Sequence, residues 1–183
     1  MHFLLDALLE ALDPPFMTEA APPRKVLVAC LGNPDRGDDG AGAAVGERLK
    51  NLLPDGASLV IRRSDMLSLI DDFAHCQALI CVDAAAPMDA PGRIYRIDLT
   101  SGELTRELLS ASTHGFGFAE AIELARALGQ APEDILVYAI EGACFDTGAA
   151  LTPAVRIAAE ETARLVAADV NRLSVYASDE GPE

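Results

Sequence analysis

Three side chains in this sequence have the types and placing to do chemistry together: Asp39, Asp83 and His114. Asp39 lies in the glycine-rich run GNPDRGDDGAG, Gly32 to Gly42; Asp83 follows the apolar run ALICV; His114 sits in STHG. Two carboxylates and one imidazole make a facial set for a divalent transition metal, since nickel, zinc and iron all accept mixed oxygen and nitrogen ligands. Each residue also has a plainer reading. Asp38 and Asp39 could cap a helix, because an Asp near a helix N-terminus accepts orphan N–H bonds and complements the macrodipole. Asp83 could form a turn, and His114 could be an ordinary loop histidine. The functional reading gains weight because all three fall on one expected edge and the chain has only three histidines. His2 and His75 are left outside the site.

Other chemistries find little support. The loop lacks the G-x-G-x-x-G spacing of a dinucleotide site, and its aspartates would stand where a pyrophosphate must sit. There is no G-x-S-x-G elbow and no H-E-x-x-H, and nothing around Cys144 marks it as an activated thiolate. A loop this rich in carboxylates suits a cation.

The elements that must position these residues follow from periodicity. Residues 25–31 form a short, uniformly apolar run, the pattern of a buried strand. Ala41, Ala44, Val45, Leu49 and Leu52 keep helical spacing up to Pro54. A strand over 58–62, a helix over 67–74 and a strand over 78–82 follow, so Asp83 is expected just past a central strand. Residues 94–99 alternate as a half-exposed edge strand, expected to be antiparallel. A short helix is expected over 103–110, and Phe118, Ala121, Ile122, Ala125 and Leu128 mark a helix behind His114. The last strand spans 135–140. The last helix runs over 153–173, with Pro153 suited to its first turn. This order predicts an α/β fold of three layers, αβα, around a mostly parallel twisted sheet with one antiparallel edge strand. In such sheets ligands bind at the carboxyl ends of the strands.

The chain of 183 residues fits one domain, and with half its residues apolar it can bury a core unaided. That domain is expected over 25–175. Residues 1–24 read as an extension, a short amphipathic helix with Leu5, Leu8, Leu9 and Leu12 in a stripe, then a Pro-rich linker; residues 176–183 read as a polar tail. The opening segment lacks a basic region and resembles no export signal. A net charge of −15, from 14 basic and 29 acidic residues, repels nucleic acid and anionic membranes. No apolar run is long enough to span a bilayer. Four cysteines without a CxxC pair read as reduced thiols, and a cytoplasmic protein is expected.

The segments VLVACLGNPDRGDDGAG, LICVDAA, STHGFGFAEAIELARALG and VYAIEGACFDTGAALTPAV, in that order, resemble the hydrogenase maturation proteases across about residues 25–170. The resemblance implies an endopeptidase that removes a C-terminal peptide from the nickel-loaded precursor of a nickel-iron hydrogenase large subunit. It further implies that Asp39, Asp83 and His114 contact the metal, and that the nickel comes with the precursor and not as a resident cofactor. The runner-up is a non-catalytic metal-binding or chaperone-like module for hydrogenase assembly on the same fold. A small-molecule hydrolase ranks third, for want of a nucleophile.

Overall fold

The computed structural model describes residues 23–63, 68–73, 75–100 and 115–175. Within them the elements are β1 (Val26–Leu31), a 3-10 turn (Gly37–Gly40), α1 (Ala41–Leu49), β2 (Ala57–Arg62), α2 (Leu69–Phe73) and β3 (Ala78–Ala85). They continue with β4 (Ile94–Asp98), α3 (Gly115–Ala127), β5 (Asp134–Glu141) and α4 (Pro153–Val175). The strands lie in the order β2-β1-β3-β5-β4. All pairs are parallel except β4 with β5, which are antiparallel. The expected three-layer α/β fold is the one found.

β1 and β3 are buried along their whole length because helices cover both faces of the sheet. Alternation divides their side chains between two cores. Val28, Cys30, Ile80 and Val82 pack with Val45 and Leu49 of α1 and with Val155, Ala159, Val166 and Val170 of α4. Leu27, Ala29, Leu31, Leu79 and Cys81 face the other way, against Leu69 and Phe73 of α2 and Phe118, Ala121, Ile122 and Ala125 of α3. The spacing of those α3 residues, three and four apart, places one stripe on the sheet. Burying Phe118 there contributes about 2 to 3 kcal/mol, and an Asp at Ile122 would disrupt that stripe.

Two boundaries differ from expectation by three residues. α1 closes at Leu49 and hands over to a turn before Pro54, since Leu52 is exposed and adds nothing to the apolar stripe. β3 runs three residues beyond Val82, so Asp83 lies inside the strand, paired with Ala139 of β5, and not just past it. The ladder continues because β5 is equally long and keeps offering backbone partners. The helices expected in the first 24 residues and over 103–110 lie outside the described residues, wholly or nearly so, as do His114 and the polar tail.

Candidate functional site

The carboxyl edge of the sheet is organised by the turn between β1 and α1. Gly32 ends β1 with φ +125, a left-handed conformation that L side chains rarely adopt, and its N–H donates to the Arg62 carbonyl at 3.0 Å. Asn33 then nucleates the loop: its side-chain oxygen accepts the Asp35 N–H at 3.0 Å, and its carbonyl accepts the Arg36 N–H at 3.1 Å. The chain tightens into the 3-10 turn and runs directly into α1. Gly42 lets that helix touch the sheet, because a Cβ there would overlap the Leu31 carbonyl oxygen and stand 2.7 Å from that of Val82. The turn packs against β3.

Neither aspartate of the turn is a side-chain cap. The residues in the capping positions are Arg36 and Gly40, and neither makes a side-chain cap bond. Asp38 is fully buried and tied to a distant segment. Its Oδ2 accepts N–H bonds from Ala143 at 2.8 Å and Cys144 at 3.1 Å and the Thr152 hydroxyl at 3.0 Å, while Oδ1 accepts the Thr152 N–H at 2.7 Å. Asp39 is buried too, but among the described residues its carboxylate accepts one hydrogen bond, from the Asn33 N–H at 3.3 Å. The two neighbours share a sequence context and differ in how far their lone pairs are used.

Asp83 is buried on the α2 and α3 face of β3, on the same side as Leu79 and Cys81. Its Oδ1 accepts the Ala84 N–H at 2.8 Å. Burial pushes the Cys81 thiol well above its ordinary pKa, and the charge of Asp83 raises it further. α3 packs on this face and runs against the parallel strands. Its last turn lies at the amino edge, where Arg126 donates to the Leu99 carbonyl at 3.3 Å. Its N-terminus, Gly115, therefore points to the carboxyl edge on the face that carries Asp83. His114 precedes that residue in sequence and lies outside the described residues. Asp39 and Asp83 are thus brought to one edge. Among the described residues no group of three His, Cys, Asp or Glu side chains is arranged to hold a metal ion.

A fourth buried carboxylate at this edge was missed from the sequence. Glu141 closes β5; its Oε1 accepts the N–H groups of Met88 at 2.9 Å and Ala90 at 2.6 Å, and Oε2 accepts the Tyr95 hydroxyl at 3.0 Å. Burial works to raise its pKa, but the bonds from Ala90, Tyr95 and Met88 outweigh it and hold the carboxyl below the ordinary range. The signal was present: a lone Glu ending the apolar run ILVYAI. On the α1 side of the turn, Gly32, Gly40, Ala44, Ile61 and Leu151 line a cavity of about 440 Å³.

An α/β fold with acidic side chains and a tightly built glycine turn at its carboxyl edge defines a class of small single-sheet proteins whose ligand chemistry sits on that edge. Residues 64–169, more than half of the chain, match the hydrogenase maturation protease family, and the chain belongs to it. It is therefore a maturation endopeptidase. No curated protein matches it in sequence. Solved structures share its fold. The hydrogenase maturating endopeptidase HybD from E. coli is 22% identical with a TM-score of 0.68, covering 81% of this chain and 93% of its own. The [NiFe] hydrogenase maturation protease HybD from Thermococcus kodakarensis is 23% identical with a TM-score of 0.66, covering 82% and 99%. A hydrogenase 2 maturation peptidase from a Thaumarchaeota archaeon is 24% identical with a TM-score of 0.61, covering 83% and 99%. Among the described residues no helix is long and apolar enough to cross a membrane.

Proposed function

We propose that this endopeptidase removes a C-terminal peptide from the nickel-loaded precursor of a nickel-iron hydrogenase large subunit, reading the metal through Asp39, Asp83 and His114. The observation that carries the reading is the contrast within the turn. A buried carboxylate normally has its lone pairs used, and one left short is costly unless something else fills the place. Asp38 is saturated; Asp39, two per cent exposed, has one long bond among the described residues. Asp83 stands on the neighbouring strand, and the helix that follows His114 starts at the same edge.

In this reading nickel is part of the substrate, held by the precursor and completed by the three side chains on docking. Nickel carried by the precursor would supply Lewis-acid chemistry at the scissile carbonyl, and Asp39 or Asp83 would orient the attacking water. The cavity beside the turn, lined by Gly32, Pro34 and Gly40, offers an extended peptide segment room. The four free cysteines fit a reducing compartment, and we place the reaction in the cytoplasm.

Asp39→Asn tests the proposal, since Asn keeps the shape and can still accept the Asn33 N–H. The expected result is an unchanged melting curve with peptide release from nickel-loaded precursor reduced at least a hundredfold, and nickel-free precursor left uncut by both proteins. Release at the parental rate would remove Asp39 from the mechanism.

A further inference from the structure

We infer that Asp38 is the positioning residue of this site: it clamps the 142–152 segment to the turn and so fixes where Asp39 points. The inference rests on the reading of Asp39 given above. The fourfold acceptance described above joins two stretches more than a hundred residues apart in sequence, and the backbone adds to it. The Asp38 N–H donates to the Cys144 carbonyl at 2.8 Å, the Gly37 N–H to the Ala149 carbonyl at 3.1 Å, and the Gly148 N–H to the Asp35 carbonyl at 2.7 Å. The packing leaves no slack, because a Cβ at Gly142 would stand 3.0 Å from the Asp38 Cβ. A four-residue turn closed by single i to i+3 bonds is soft by itself. Here it is held by a buried side chain at the residue next to Asp39, so any shift of the Asp38 carboxylate is passed to Asp39 through one peptide unit. Such support is what keeps a reacting group in its productive geometry.

The substitution Asp38→Asn is informative because the site has no room for an amide. Oδ1 faces the backbone N–H of Thr152 and Oδ2 faces those of Ala143 and Cys144, so an Asn NH2 set either way meets a backbone donor head-on. Positioning predicts a kcat for nickel-loaded precursor at least tenfold lower with KM within twofold of the parent, at a temperature where the variant is fully folded. A remote core variant, Val170→Ala, titrated to the same loss of Tm by a temperature offset, keeps the parental kcat. Where Asp38→Asn does not fold, the pair Thr152→Val and Thr152→Ser decides. Val removes only the hydroxyl donor and is expected to lower kcat about fivefold, while Ser restores it. Asp38→Asn cleaving like the Val170→Ala control, or Thr152→Val cleaving like Thr152→Ser, overturns the inference. Asp39→Asn assayed alongside separates the two claims. If it loses activity while Asp38→Asn does not, only the positioning role fails; if it cleaves at the parental rate, the reading of Asp39 fails and the positioning role with it.

Discussion

Gly42→Ala and Gly46→Ala form a pair whose outcomes should diverge although both place a methyl on the same helix. At Gly42 the new Cβ overlaps the Leu31 carbonyl oxygen and stands 2.7 Å from the Val82 carbonyl oxygen and 2.9 Å from the Leu31 nitrogen. All of these are backbone atoms of two central strands and cannot rotate away. Carbon to oxygen contacts settle at roughly 3.3 Å, so the start of α1 must lift by about 1 Å. Overpacking of this kind costs about 1 to 3 kcal/mol or more, and Ala recovers at most about 1 kcal/mol of helix propensity. At Gly46 the nearest atoms are Ile61 Cδ1 and Cγ1, both at 2.8 Å, part of a half-buried side chain that can change rotamer, with the Cys30 Cβ at 3.2 Å needing to give by only a few tenths of an ångström. There the propensity gain and the repacking cost nearly cancel. Urea melts should therefore show Gly42→Ala destabilised by about 2 kcal/mol, equivalent to a Tm roughly 4 to 8 °C lower, and Gly46→Ala within about 0.5 kcal/mol of the parent. Gly42→Ala should also slow precursor cleavage at temperatures where it is folded, since the lifted helix carries the turn with it. Equal stability of the two variants, or the reverse order, would refute the claim that close backbone approach is what the glycine run is for.

Two further outcomes follow from buried polar groups. Glu141 has a folded pKa below its unfolded one, so its stabilising contribution is complete above roughly pH 4.3 and is lost as pH falls through the depressed folded value. Glu141→Gln should flatten the acid limb of a stability against pH profile measured by urea melts. The limb will not vanish, because Asp169 is depressed as well: bonds from Arg96, Tyr138 and Arg172 outweigh the effect of its burial. Among the described residues the Thr162 hydroxyl, buried on α4, has no hydrogen-bond partner, so Thr162→Val should leave stability unchanged or raise it by about 1 kcal/mol. A loss of more than about 1 kcal/mol in the melt would show that the hydroxyl has a partner.

The fold was legible because its information is local and periodic. The uniform apolar runs of β1 and β3, the alternation of β4 and the three-and-four spacing of Phe118, Ala121, Ile122 and Ala125 each state which faces are covered. The site was legible only in part. Asp39 and Asp83 could be assigned to one edge because each ends or follows an apolar run, although the extent of β3 depended on how far β5 pairs with it, which no local pattern encodes. What Asp38 binds could not be read at all. Its partners Ala143, Cys144 and Thr152 lie more than a hundred residues away, and two of them contribute only backbone N–H groups, which carry no residue-type signature. Capping was the natural local expectation for an acidic pair before a helix, and it failed because the turn enters α1 through Gly40.

The arrangement explains why two aspartates stand side by side in a turn that is otherwise nearly all glycine. Burying one carboxylate is tolerable when N–H donors surround it, and burying two adjacent ones is costly unless their needs are met from different directions. Asp38 is satisfied from below by the 142–152 segment, which consumes the donors available there. On the inference above, Asp39 is held in place by its neighbour, and among the described residues it has little of its own beyond the Asn33 N–H. The glycines follow from the same constraint, since the turn must approach β1, β3 and the 142–152 backbone closely enough for those bonds to form. On the proposed function, a protease that reads a metal on its substrate needs a carboxylate rigid and short of partners, because a flexible one would lose ordering entropy on docking and a saturated one would have no lone pair to offer.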